Sequence, residues 1–174
     1  MSYKSPYVTL ATESTAGAKY WQHPDGWAKL VEFIVGRGYA VVNVSRQGSL
    51  RPEFERWKIP LALNHPNGSI RSAAGCIAGS EMFIGVSSGL AWLAWALNKP
   101  VVMISGFTKP FNEFECIRII NEKVCNGCYH HNLFNAGDWD WCPVHKGTPR
   151  QFECTKTITP EMVIARISDL LPQI

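Results

Sequence analysis

Four cysteines spaced Cys125-x2-Cys128-x13-Cys142-x11-Cys154 lie in a stretch, roughly 113–156, that carries no steady apolar period. Loops longer than about 15 residues are uncommon in compact domains and are usually functional or disordered. A CxxC pair with two further thiols offers a tetrahedral metal site, which would fix distant points of backbone without a hydrophobic core. Structural zinc in small peptides is worth about 10–16 kcal/mol, enough to order such a segment. The stretch is therefore read as a metal finger inserted into a larger fold, with Cys125, Cys128, Cys142 and Cys154 as ligands of one ion. All positions would then be filled by protein, so the ion's role is structural. Ligand type alone leaves zinc and iron both open, because tetrahedral sulfur coordination suits either. His130, His131 and His145 could each replace a thiolate, since imidazole and thiolate mix in zinc sites. With four thiols at hand they are read as bystanders.

The rest of the chain can support a core. It has 174 residues, 46% apolar and 18% charged, which excludes a disordered or fibrous protein and suits one globular domain, 1–174, with the finger inserted. Seventeen basic against fourteen acidic residues give a net charge of +3 with no basic run, so nucleic acid is not expected as a partner. The start, MSYKSPYVTLA, has no apolar signal region, and no stretch reaches the length a membrane span needs. The chain reads as cytoplasmic, where six cysteines point to metal or buried thiols rather than disulfides. Cys76 and Cys116, outside the spacing pattern, read as small buried residues.

Hydrophobic patterning predicts strands and helices in alternation. Tyr7–Leu10 is strand-like and is followed by the small, polar run ATESTAGAK, which reads as a loop over a ligand. Trp27, Leu30, Val31 and Ile34 form a helical stripe, and Ala40–Val44 is a β-branched run of the kind buried on both faces of a parallel sheet. Ile59–Leu63 is a weaker strand candidate, and Ser69–Ala78 a short helix. Met82–Val86 then leads through a Gly-Val-Ser-Ser-Gly turn into a helix with Leu90, Leu93, Ala94 and Leu97, and Val101–Ile104 is another buried strand. Thr159-Pro160-Glu161 supplies a cap, a first-turn proline and a first-turn acid for a last helix over about 160–171. Such alternation predicts an α/β fold with a Rossmann-like parallel sheet and helices on both faces.

In open parallel sheets ligands bind beyond the carboxyl ends of the strands. Two loops there suit phosphate. Thr12, Ser14, Thr15 and Lys19 combine hydroxyls and a cation among small residues, while Ser87, Ser88 and Gly89 open a helix whose free N–H groups favour an anion. The plainer reading makes a serine an N-cap and Lys19 a solvated surface residue; joint placement at strand ends keeps the diphosphate reading level with it. Gly85-x-Ser87-x-Gly89 also fits the nucleophile elbow of serine hydrolases, with Asp138 or Asp140 and then His145 in the required order. Those partners lie among the metal cysteines, which argues against that reading. Trp92, Trp95, Trp139 and Trp141 read as core or interface residues before sugar-stacking ones, and exposed members would point to an oligomer.

The run EMFIGVSSGLAWLAWALNKPVV, residues 81–102, resembles the nucleotide-sugar half of ADP-heptose glycosyltransferases, with a strand, an S-G turn, a small-residue helix and then K-P. TESTAGAKYW and the cysteine finger narrow the resemblance to the bacterial autotransporter heptosyltransferases, over nearly the whole chain. The resemblance implies the C-terminal half of a GT-B glycosyltransferase, with the catalytic base and the acceptor site largely on an N-terminal half this chain lacks. Alone it is then expected to be inactive. The implied donor-site residues are Thr12, Ser14, Thr15, Lys19, Ser87, Ser88 and Gly89, with Lys19 stabilising the departing ADP. The implied reaction moves heptose from ADP-heptose to serine residues of an autotransporter adhesin. The family also implies iron in the finger and assembly into a large homo-oligomeric ring such as a dodecamer. The reading from a different class is a non-catalytic, metal-stabilised interaction module.

Overall fold

The β-branched runs do become strands. A computed structural model of the protein describes residues 5–45, 59–65, 69–133, 135–138 and 140–174. Its strands are β1 (Tyr7–Ala11), β2 (Ala40–Asn43), β3 (Leu63–Asn64), β4 (Met82–Val86), β5 (Val101–Ile104) and β6 (Ile117–Ile119). They form one sheet in the order β3-β2-β1-β4-β5-β6, with every pairing parallel. Parallel strands require crossovers, and α1 (Gly26–Gly36), α2 (Ile70–Ala78) and α3 (Gly89–Ala96) carry those from β1 to β2, from β3 to β4 and from β4 to β5. A single turn, α4 (Glu153–Lys156), and a last helix, α5 (Pro160–Ile167), complete the described elements.

Both faces of the sheet are covered, which is why its central strands read as continuous apolar runs. Val8 and Leu10 of β1 point to the side of α1 and α5, where Leu30, Ile34, Val163 and Ile167 are fully buried. Tyr7 and Ala11 point to the other side, with Ile77 of α2 and Ala91 and Ala94 of α3. On α3 the two alanines take the innermost places and Leu90 and Leu93 only flank them, so small residues let the helix approach β4 and β5. Gly85 serves the same closeness, since a Cβ there would lie 2.8 Å from the Ala11 carbonyl oxygen. Trp21, fully buried, donates its indole N–H to the Ile158 carbonyl at 2.8 Å and fastens the end of the first loop to the segment entering α5. Lys99, of the K-P pair, donates from Nζ to the Ser80 carbonyl at 2.7 Å, tying the exit of α3 to the entry of β4.

Three expectations need correction. Ile59–Leu63 is not a strand: Pro60 and Leu61 make a turn, with Leu61 at φ 66, and pairing is confined to Leu63 and Asn64. ATESTAGAK is less superficial than its polarity suggests, because its first alanine belongs to β1 and Thr12, Gly17 and Ala18 are buried. The stretch read as the finger begins inside the sheet, since Ile117–Ile119 pair with Val102–Ile104 as the sixth strand. No helix among the described residues is long and apolar enough to cross a membrane.

Candidate nucleotide site and metal centre

The strand order fixes where a ligand can enter. From β1 the chain builds outward to β2 and β3, then returns to place β4 on the other side of β1. The crevice at such a switch point, past the carboxyl ends of β1 and β4, is where open parallel sheets bind ligands. Ala11 lies opposite Gly85 in the register, so the loops starting at Thr12 and Ser87 leave the sheet side by side.

Within the first loop the hydroxyl residues divide by role. Thr12 is buried and bound to Ser45 twice, its N–H donating to Ser45 Oγ at 2.7 Å and its hydroxyl lying 3.3 Å from the same atom. It therefore pins the loop to the end of β2. Ser14 accepts through its carbonyl from the Tyr20 hydroxyl at 3.3 Å. Burial, with the Glu13 carboxylate second, pushes Tyr20 up to about 12, so this donor keeps its proton. Thr15 is exposed. A turn of 3-10 helix over Gly17–Lys19 carries Lys19 half-buried toward the loop after β5, with Nζ 5.8 Å from the Phe107 ring centroid. Burial lowers its pKa from the ordinary value, and the Glu113 carboxylate offsets part of that.

On the second loop Ser88 is the N-cap of α3, but its side chain caps nothing. Its Oγ is buried without a hydrogen-bond partner among the described residues, and a Cβ added at Gly89 would meet open space. A helix start whose capping hydroxyl leaves the first amides free has donors and a dipole that favour an anion. Ser88 is thus the N-cap that the plainer reading expected, but without a side-chain hydrogen bond to the helix.

The structure adds a cluster that sequence reading left unnamed. Directly after β5, Ser105 and Thr108 bring their hydroxyls within 3.2 Å of each other, and both donate to Glu113. Arg118, the middle residue of β6, pairs with Glu113 at 2.9 Å and donates to Ser105 Oγ and the Thr108 carbonyl. The loop after Ile104 also lies past the carboxyl end of a strand. The signal that could have completed it was an acid and an arginine five positions apart beside that strand end, hidden inside the stretch assigned to the finger.

All six cysteines are free thiols. Cys76 is a buried residue of α2, and Cys116 is half-buried, its thiol pushed up to about 11 mainly by burial. The other four act on one another electrostatically. Cys128 is pushed up to about 12, first by burial and then by Cys125, Cys154 and Cys142, and Cys154 is likewise pushed up to about 12 by burial, Cys142 and Cys125. Three of these thiols are buried and Cys125 is half-buried, and their thiolates would repel one another unless a cation neutralised them, so this donor set fits a metal ion. Among the described residues, the ligand atoms that lie within 4.8 Å of one another come from Cys125, His145 and Glu153. Glu153 already holds Arg150 through two N–H donors, at 2.9 and 2.6 Å, and accepts the Cys125 N–H at 3.4 Å. Its carboxylate is therefore paired chiefly with Arg150. His145 stands 3.4 Å from Glu153, and Asp138 pairs with Lys146, so the histidine and one of the two acids the nucleophile elbow could use are engaged within the finger.

The finger is seated on the sheet rather than hung from it. Gly127 donates to the Gly106 carbonyl at 2.8 Å, Tyr129 donates to the Phe107 carbonyl at 2.9 Å, and a Cβ at Gly106 would come within 2.8 Å of Cys154 Cβ. Trp141 is buried in the same cluster as Phe107 and Cys128. Trp92 and Trp95 are exposed on α3, with Phe114 stacked on Trp95 at 5.4 Å; Trp139 lies outside the described residues.

A profile of glycosyltransferase family 9 (heptosyltransferase) matches residues 1–130. The chain is 41% identical over 172 residues to the autotransporter heptosyltransferase Aah of Escherichia coli, covering 96% of this chain and 44% of that protein. It is 36% identical over 162 residues to the inactive autotransporter heptosyltransferase BimC of Burkholderia thailandensis, covering 91% of this chain and 38% of that one. Among solved structures it matches the dodecameric iron-containing heptosyltransferase TibC of Escherichia coli, in complex with ADP-D-β-D-heptose, at TM-score 0.89 and 36% identity, over 98% of this chain and 46% of that one. The chain thus spans less than half the length of these relatives.

Proposed function

The chain belongs to glycosyltransferase family 9, the heptosyltransferases, and on that premise we propose that it is the half that binds the nucleotide sugar in a protein O-heptosyltransferase. The donor is ADP-heptose, and the acceptor is a serine hydroxyl of an autotransporter adhesin. One observation carries this reading. The helix start with its uncapped amides and the lysine loop leave neighbouring strands at the switch point, Ala11 beside Gly85, so a diphosphate can be held from two sides.

In the reaction the serine oxygen attacks the anomeric carbon as the bond from that carbon to the β-phosphate oxygen breaks. The electron pair leaves with ADP, and the hydroxyl proton passes to a base. Lys19 and the α3 amides meet the charge that develops on the leaving group, where preorganised donors are most effective. Ser87, Ser88 and Gly89 shape that cradle, Ser14 and Thr15 line the opposite lip, and Thr12 holds the lip to β2. The base belongs to the other half of the enzyme, beyond the 44% of Aah that this chain matches.

Cys125, Cys128, Cys142 and Cys154 hold one structural ion, iron in the reading favoured by the TibC likeness and zinc as the alternative. That ion supplies cross-linking of the backbone and no Lewis acidity, since protein fills its coordination. Glu153 and His145, whose ligand atoms lie within 4.8 Å of the Cys125 thiol, would stand beside it. The exposed Trp92 and Trp95 suit a protein interface, and a ring of copies like that of TibC is the assembly we propose. Free thiols suit a reducing cytoplasm.

A second reading, a non-catalytic binding module, has its own support in the likeness to the inactive BimC. Calorimetry on folded, metal-loaded protein separates the two. Binding of ADP and of ADP-heptose, with the sugar adding affinity, supports the donor half; no heat from either at millimolar concentration supports the module.

A further inference from the structure

Phe107 stands between the finger and the proposed diphosphate lip. It follows β5 by three residues, and only 5% of its surface is exposed. On one side the finger grips it. Trp141 meets the ring edge-on at 5.8 Å and Tyr129 at 5.7 Å, while the Phe107 carbonyl accepts the Tyr129 N–H at 2.9 Å. The preceding carbonyl, of Gly106, accepts from Gly127 inside the CxxC turn at 2.8 Å. On the other side lies the first loop, with Ala18 in the same apolar cluster and the Lys19 ammonium 5.8 Å from the ring centroid.

We propose that Phe107 is a positioning residue for the donor: it seats the Lys19 ammonium on its ring face and so joins the metal finger to the diphosphate site. The inference rests on the reading of Lys19 as a diphosphate ligand. A lysine has a long flexible stem, and a cation resting against an aromatic face is attracted by the ring's quadrupole, more strongly where water is excluded. Held this way, Lys19 meets the phosphate with less of its rotamer freedom left to lose. The finger acts on nucleotide binding without touching the nucleotide.

A double-mutant cycle on the full, metal-loaded chain tests this, with ADP and adenosine as calorimetric ligands and metal content measured on every sample. The expected results are that F107L weakens ADP about threefold to tenfold, a range set by cation–π strength, that adenosine affinity stays at the wild-type level, and that F107Y restores ADP affinity. In a K19A background F107L should add nothing. An equal loss of ADP affinity with and without Lys19, an equal loss for adenosine, or an F107L protein that binds ADP like wild type would each overturn the proposal. Should F107L come out metal-poor, F107M fills the slot without a ring and is held to the same comparisons. Failure of the donor reading looks different: wild type then ignores ADP, or K19A binds it as well as wild type does.

Discussion

Arg118 and Glu113 face each other at 2.9 Å across the loop between β5 and β6, with 11% and 2% of their side chains exposed. The pair, with Ser105 and Thr108, closes the strand-end loop that carries Phe107. Removing one member of a buried pair strands the other charge, and the usual cost is about 3–5 kcal/mol. Arg118→Ala should lower unfolding free energy in urea by that amount. The double variant E113Q/R118M, which strands no charge, should recover much of it. Equal losses for the two would mean that the pair's charge is not what matters.

The two lips of the nucleotide site should respond differently to truncation. Lys19→Ala should weaken ADP about tenfold or more and leave adenosine unchanged, because hydrogen bonds to charged groups contribute about 1.5–3 kcal/mol. Ser88→Ala should cost less, since the amides that open α3 remain. Calorimetry with both ligands reads this directly, and unchanged ADP affinity in both variants would dismiss the two-sided grip.

The buried setting of Lys19 gives the site a pH signature. Its pKa lies below the ordinary 10.5, burial being the main cause and Glu113 opposing it. The charged form binds phosphate, so ADP affinity should fall as pH rises through this lowered value, before an ordinary lysine would titrate. Lys19→Ala should remove that step. The sign for stability runs the other way: the unfolded chain holds the proton longer, so the nucleotide-free fold gains stability as pH climbs from the folded value toward 10.5.

Much of this architecture is written in local pattern, and the exceptions have physical reasons. The run Val-Val-Met-Ile at 101–104 becomes a buried strand because both faces are covered, and Thr159 accepts from the Met162 N–H at 3.4 Å as the capping sequence implies. β6 escaped notice because its three residues hold an arginine that serves the charged cluster, leaving no run of apolar residues to see. The strand expected over 59–63 failed on a proline that cannot donate and a leucine in the left-handed region. At the proposed site, side-chain types singled out the two candidate phosphate loops, which the fold places side by side. Only the fold could reveal that Thr12 serves Ser45, that Ser88 caps nothing, and that Glu113 and Phe107 reach Lys19 from a segment nearly a hundred residues away.

The finger should be separable from the core, though not cleanly. Cys142→Ser is expected to lose the metal and speed hydrogen exchange over 120–156, while far-UV ellipticity from the sheet and helices persists. Because Cys154 packs on Gly106, the strand-end loop 105–108 should loosen as well. Metal analysis of freshly purified reduced protein checks the first part. No bound ion in wild type, or full occupancy in the variant, would contradict the four-thiol site.

The most direct measurement is a structure of the protein with ADP bound. The account places the diphosphate at the switch point, its oxygens within hydrogen-bond distance of the Lys19 ammonium and of the amides that open α3 at Gly89. A nucleotide seated elsewhere, or one whose phosphates touch neither Lys19 nor the start of α3, would contradict it.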